Sequence, residues 1–226
     1  MTDSTSNKQQ INIEMIPLNT IMQHLYAARI IGFRPLSIPT HMSYRERISL
    51  FRTAQLLPKG SSIVEIGSWI GASISVMAAA TEISASPLVC IDTWMNEGMA
   101  NNPNNEAFDV KNPFLGEKLS TFTEFQKNTA HLEGRLTKIR MDSSKLSAGD
   151  LPRNIGIFFI DGDHSYQACK NDLNLALAVA SKDTQILCHD FSIHRGVTDA
   201  VCEYHAEKKV IIHKLVDSLA HLTIHP

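Results

Sequence analysis

The chain has 226 residues, a formal charge of −2, 43% hydrophobic residues and 19% charged residues. That balance can bury a sizeable core and excludes both a disordered chain and a fibrous repeat. Lysines and arginines are scattered along the chain, so there is no basic footprint and no nucleic-acid partner is expected.

The opening MTDSTSNKQQ is polar and lacks the apolar centre of a signal peptide, and no later apolar run reaches membrane-spanning length. A cytoplasmic protein with no membrane partner is expected, with residues 1–17 as a polar tail. Leu18 to Ile31 and Tyr44 to Leu57 carry apolar residues at helical spacing on either side of the proline-bearing connector FRPLSIPTHM. They predict an N-terminal helical cap over residues 18–60, outside the main sheet. Its apolar helices offer a surface for pairing in a homodimer.

Residues 61–226 then alternate between strand and helix. SSIVEIG is a short buried strand, ISVMAAATEI a small-residue helix and PLVCID a second strand. An Asn-, Gly- and Pro-rich stretch follows, too long for a turn, and predicts an inserted lid or loose loop over residues 94–117. Lys118 to Leu132 is helical, and RLTKIRMD is a strand ending in Asp142. IGIFFID is apolar without alternation, as in a strand covered on both faces. Cys169, Leu173, Ala176, Leu177 and Ala180 mark the next helical face, TQILCHD is another strand and RGVTDAVCEYHAEK another helix. KVIIHKLV and SLAHLTIH, separated by Asp217, read as an antiparallel hairpin at the sheet edge. The expected fold is therefore α/β: a doubly wound, Rossmann-like, mostly parallel seven-stranded sheet with a C-terminal hairpin and an N-terminal helical extension. Cys90, Cys169, Cys188 and Cys202 are widely spaced, which suits buried reduced thiols better than disulfides or a zinc site.

Ligands of such sheets bind beyond the carboxyl ends of the strands, so the residues that finish each strand carry the functional signal. They are Glu65 with Gly67, then Asp92, Asp142, Asp161 and Asp190. A single aspartate there is usually a cap or turn former; five acidic ends in succession point to a ligand-binding rim. In VEIGSWIGAS the glycines Gly67 and Gly71 are four apart, with Ser68 and Trp69 between them. That spacing differs from the Gly-x-Gly-x-x-Gly of a dinucleotide site. In FFIDGDHSYQACKNDL, two carboxylates and His164 crowd a strand-to-helix turn. This knot admits a metal site, a general base or a helix cap made by Asp163 and Ser165.

VEIGSWIGAS, Asp92, Asp142 in RMDSS, FIDGDHSY and HDF together resemble class I S-adenosylmethionine-dependent methyltransferases over Ser61 to Pro226. Within that family the pattern is most similar to O-methyltransferases of small molecules, of the catechol and caffeoyl-coenzyme A type and bacterial enzymes acting on sugars or natural products. The resemblance implies S-adenosylmethionine as cofactor and a small-molecule substrate. It places Glu65, Gly67, Ser68 and Gly71 along the methionine and ribose, Asp92 on the ribose hydroxyls, Thr93 and Trp94 near the adenosine, and Asp142 and Ser143 at the adenine. Asp161 would lie beside the cofactor and the acceptor.

Metal-dependent relatives hold Mg2+ with positions matching Asp161 and Asp190 and with an asparagine where this chain has Phe191. His164 stands where such relatives carry a lysine base, and imidazole titrates in the right range to take a hydroxyl proton. Strand alternation turns His189 away from Asp190, which makes it a core or supporting histidine. By analogy, His41 and Tyr44 reach across the cofactor. Three rival readings remain at this point: a nicotinamide-dependent oxidoreductase, a metal-dependent hydrolase using Asp161, Asp163, His164 and Asp190, and a binding protein without turnover.

Overall fold

The computed structural model describes residues 18–95 and 121–225. The polar tail and nearly all of the expected insertion lie outside these residues. Helices α1 (Leu18–Ile31), α2 (Phe33–Leu36) and α3 (Tyr44–Gln55) precede strand β1 (Ser62–Ile66). Helix α4 (Ala72–Ala80) leads to β2 (Leu88–Asp92), and α5 (Thr121–Thr129) leads through a 3-10 segment to β3 (Leu136–Arg140). Then follow β4 (Ile155–Ile160), α6 (Tyr166–Val179), β5 (Gln185–Cys188), α7 (Arg195–Ala206), β6 (Val210–Val216) and β7 (Leu219–Ile224). The sheet order is β3-β2-β1-β4-β5-β7-β6, with β7 antiparallel to both neighbours and the other pairs parallel. The expected mostly parallel sheet with a terminal hairpin is what forms, and β7 rather than β6 pairs with β5.

The two-residue period of β4 explains the layers. Ile157 and Phe159 join one core with Ala27, Leu50 and Phe51 of the N-terminal helices and Ile74 and Met77 of α4. Phe158 and Ile160 face the other core, with Cys169, Leu173 and Ala176 of α6 and Val201 and Tyr204 of α7. Every residue of β4 is buried, so its apolar run needs no alternation. Each such side chain contributes roughly 1.5–3 kcal/mol through burial. The N-terminal helices thus close one sheet face and share its core. On the far side of α1, Ile21, Met22, Leu25 and Tyr26 are exposed. No described helix is long and apolar enough to cross a membrane.

Two expectations need correction. The connector before α3 contains the short helix α2, because Pro35 is tolerated in a first helical turn. Cys202 is exposed, whereas Cys90, Cys169 and Cys188 are buried free thiols. Cys202 sits on the outer side of α7, away from the buried stripe Val197, Ala200, Val201 and Tyr204.

Parallel strand order reverses between β1 and β4, which opens a crevice above their carboxyl ends. There Gly67 adopts φ +84°, and a Cβ on it would lie 1.9 Å from the Asp161 carbonyl oxygen. Only glycine lets the two strand ends approach this closely. The crevice is set by that contact.

Candidate active site

The rim has two parts. On the β1–β2–β3 side, Glu65 shares the face of Ile63 and is fully buried; its Oε1 accepts the Ser73 hydroxyl at 2.5 Å. Burial pushes its carboxyl up to about 7. Asp92 ends β2 half-buried, and its two oxygens accept the backbone N–H groups of Trp69 at 2.8 Å and Trp94 at 2.6 Å. Burial raises its carboxyl as well. Asp92 thereby ties the β1 and β2 loops together at their tips. Ser68 is buried in the first loop, and Gly71, at φ +87°, caps α4 without any side-chain acceptor. A Cβ at Gly71 would press on Thr129 and Phe125 of α5, so this glycine answers a packing demand.

Trp94 is turned inward. Its indole N–H donates to Trp69 O at 2.8 Å, and its ring packs on Phe122 and Phe125 with centroids 5.1 and 4.8 Å away. Thr93 stays at the rim, where its carbonyl accepts from Arg140 at 3.3 Å. Asp142 falls just beyond β3 and accepts from Ser144 N at 2.9 Å, a bond that lowers its carboxyl and caps a 3-10 turn beginning at Ser143. His41 stacks on Trp69, whereas Tyr44 points away, its hydroxyl 3.0 Å from His24 Nδ1.

On the β4–β5 side lies a compact knot. Asp161 follows β4; His164 follows in the turn, and Ser165 caps α6 by accepting from Ala168 N. His189 and Asp190 follow β5, and Asp190 takes φ +58°, a left-handed conformation rare for a residue with a Cβ. Strand alternation ends there. Consequently His189, expected to face away, has its Nδ1 3.1 Å from Asp161 Oδ1 and 3.4 Å from Asp190 Oδ1. The other oxygen of Asp190 lies 3.0 Å from His164 Nε2. The rings of His164 and His194 stack in parallel, centroids 4.1 Å apart.

Glu46 was not visible as a site residue in the sequence. It arrives from α3, where the capping box with Ser43 holds it, and its Oε2 lies 3.5 Å from His189 Nε2. Its Oε1 accepts from Ser218 N at 2.8 Å and Ser218 Oγ at 2.7 Å. Burial would raise the Glu46 carboxyl, but hydrogen bonds from His189, Ser218 and Ser43 outweigh it and bring it to about 2. Burial likewise opposes charge on His189, yet Asp161, Asp190 and Glu46 together hold it far above the usual histidine range. The same balance raises His164, whose burial is outweighed by Asp190 and Asp161. Asp190 is held far below a normal carboxylate, its burial overcome by His164 and His189. Beside the knot, His41, Ser43, Glu46, Ser192, Ile193, Asp217 and Ser218 line an open groove of about 420 Å³.

A family model described as a methyltransferase domain matches residues 64–191. The chain belongs to this methyltransferase family. A protein of Acanthamoeba polyphaga mimivirus, R132, is 30% identical over 133 residues, 58% of this chain; the chain spans about half, 52%, of that relative. Among solved structures, the O-methyltransferase NovP superposes with TM-score 0.65 at 11% identity, covering 92% of this chain and 100% of that one. The calicheamicin methyltransferase CalS11 gives 0.62 at 13% identity, over 98% and 99%. PaMTH1 of Podospora anserina, a methyltransferase bound to SAH, gives 0.60 at 12% identity, over 93% and 89%. These likenesses show the fold, that of class I S-adenosylmethionine-dependent methyltransferases. Membership in the family favours methyl transfer over the oxidoreductase and hydrolase readings.

The methyltransferase rim suits S-adenosylmethionine. Each Asp92 oxygen accepts one backbone N–H and keeps a second lone pair for a ribose hydroxyl. The uncapped N-terminus of α4 offers N–H groups to a carboxylate. The Trp69 indole N–H is buried in the same loop with no acceptor among the described residues. Mg2+ fares otherwise. Hard cations want about six oxygen ligands, and beside Asp161 and Asp190 this rim places Phe191, which packs into the core, and the nitrogen of His189. His164, Asp190 and His194 are close enough to hold an ion, but the two imidazoles stack face to face, whereas an ion lies in the plane of each imidazole that binds it. The methyltransferase residues do not fit Mg2+.

Proposed function

We propose that the protein is an O-methyltransferase of a small hydroxylated molecule, with His164 as general base. The observation that carries this is the His164–Asp190 pair at 3.0 Å on the rim where the cofactor would bind. Asp190 engages Nε2 and so leaves Nδ1 for the acceptor, the arrangement by which a carboxylate orients an imidazole base. Glu65, Gly67, Ser68, Gly71, Asp92, Thr93, Asp142 and Ser143 would hold S-adenosylmethionine, with Asp161 at the junction of cofactor and acceptor. Trp94 would act from behind, by bracing the loop through Trp69.

When bound, S-adenosylmethionine supplies an electrophilic methyl group on a sulfonium. His164 would accept the hydroxyl proton at Nδ1, and Asp190 would stabilise the imidazolium that results. The larger contribution would be positioning, with the rim holding cofactor and acceptor beside each other. The hydroxyl-rich groove lined by Ser43, Ser192 and Ser218 is the acceptor entrance, and its polarity favours a sugar-like molecule. Calorimetry with S-adenosylmethionine, followed by transfer of a labelled methyl group to a panel of phenols and sugars, tests the reading. Saturable binding and O-methylated product are expected; absence of binding at millimolar cofactor would sink it.

A further inference from the structure

Three carboxylates converge at the knot. Asp161, Asp190 and Glu46 approach one another through His189, which is only 4% exposed. Like charges brought together out of water need a cation between them. A cation placed there would meet Asp161 and Asp190 together, in the group of Asp161, His189 and Asp190 that is close enough to hold an ion. His189 Nδ1 is the group found there, at 3.1 and 3.4 Å. On the opposite side of the ring, Nε2 faces Glu46 Oε2 at 3.5 Å and Ser218 Oγ at 3.4 Å. Acceptors thus flank both ring nitrogens. A ring bound to an ion through Nδ1 would need that nitrogen bare.

We propose that His189, locked by Glu46, is a built-in cation that takes the bridging place of a divalent metal, so that methyl transfer here proceeds without one. The proposal rests on the methyltransferase reading of the same rim. Its chemistry is positional. His189 holds Asp161 and Asp190 in fixed register, and Asp190 in turn aims His164. Glu46 is the positioning residue that sets the ring, and the Ser43 N–H at 2.7 Å together with Ser218 sets Glu46. The N-terminal helices therefore take part in the site as well as covering the sheet. Phe191 is the sequence mark of the exchange: an apolar ring stands where an oxygen ligand would be needed, and the neighbouring His189 brings the charge.

Mn2+ binding is the direct test, read from the electron paramagnetic resonance of the free ion, alongside turnover with and without EDTA. The wild-type protein is expected to leave millimolar Mn2+ free and to keep its turnover in EDTA. His189→Asn, which puts an amide in place of the imidazole, is expected to bind Mn2+. Glu46→Gln is expected to lower kcat about tenfold, the usual cost of losing a residue that orients a ligand-like group. S-adenosylmethionine affinity should be unchanged in that variant, while the His189 ring 15N resonances shift. Mn2+ binding by wild type that is lost in Asp161→Asn would overturn the proposal, as would loss of turnover in EDTA. Should His189→Asn not fold, the wild-type and Glu46→Gln measurements still decide. Failure of S-adenosylmethionine binding in the wild type, by contrast, tells against the methyltransferase reading and not against the ring's role.

Discussion

The cofactor side of the rim and the knot beside it are built in opposite ways. Glu65, Asp92 and Asp142 each stand at the end of their own strand and are held by near neighbours or by the next loop: Ser73, Trp69 and Trp94, and Ser144. The knot gathers Glu46, Asp161, His164, His189, Asp190 and Ser218 from across the chain, and each is held by another member. The first region is local geometry repeated at successive strands. The second is a single electrostatic unit, in which removing one member leaves the rest mismatched. The cofactor rim is accordingly suited to binding, and the knot to orienting a proton acceptor.

That division makes separable predictions. The largest effect is expected in the knot: His164→Ala should lower kcat about 10²–10⁴-fold, the usual range for a general base, with S-adenosylmethionine affinity unaltered by calorimetry. If turnover survives intact, the base lies elsewhere and the division fails. A smaller effect belongs to the cofactor side. Asp92→Asn keeps an oxygen for one N–H but loses the charge proposed to receive ribose hydroxyls, so binding should weaken about tenfold with kcat at saturation nearly unchanged. A kcat loss in that variant would mean that the two regions act as one.

An effect on stability, with turnover and binding left alone, is expected at Asp172 in α6. It is 1% exposed, Oδ1 has no partner among the described residues, and burial pushes its carboxyl up to about 7. The folded protein therefore holds a proton that the unfolded chain releases near pH 4, so stability falls as pH rises from about 4 to 7. Asp172→Asn removes that dependence. Thermal melts should show a gain of about 1–3 kcal/mol over the parent above pH 7 and almost none at pH 4. Equal shifts at both pH values would mean that the carboxyl is ionised throughout.

Strand ends were legible because a buried apolar run followed by an acidic residue is a local pattern, and the family resemblance of VEIGSWIGAS and FIDGDHSY rests on such patterns. Asp163 and Ser165 could be assigned to the turn before α6 for the same reason, and Asp163 Oδ1 does accept the Ser165 N–H at 2.7 Å. His189 is the buried, supporting histidine that alternation implies, but its separation from Asp190 was misjudged, because the left-handed backbone of Asp190 breaks the alternation just past β5. Trp94 was placed near the adenosine by resemblance, and its packing against Phe122 and Phe125 depended on where α5 would fall. Glu46 gave no functional signal at all. In the sequence it is the fourth residue of a capping box, a role that its Oε2 does fill toward Ser43 N.

Composition and periodicity by themselves determined an α/β chain with a doubly wound sheet, a C-terminal hairpin and an acidic rim, because burial and hydrogen bonding impose periods that a single chain displays. The tertiary structure alone decided which charges meet. Ion pairs act through space at a few ångströms, and the 143 positions separating Glu46 from His189 leave no trace in either one's neighbours. The His189 ring meets Glu46, Asp161 and Asp190 only because α3, β4 and β5 come together.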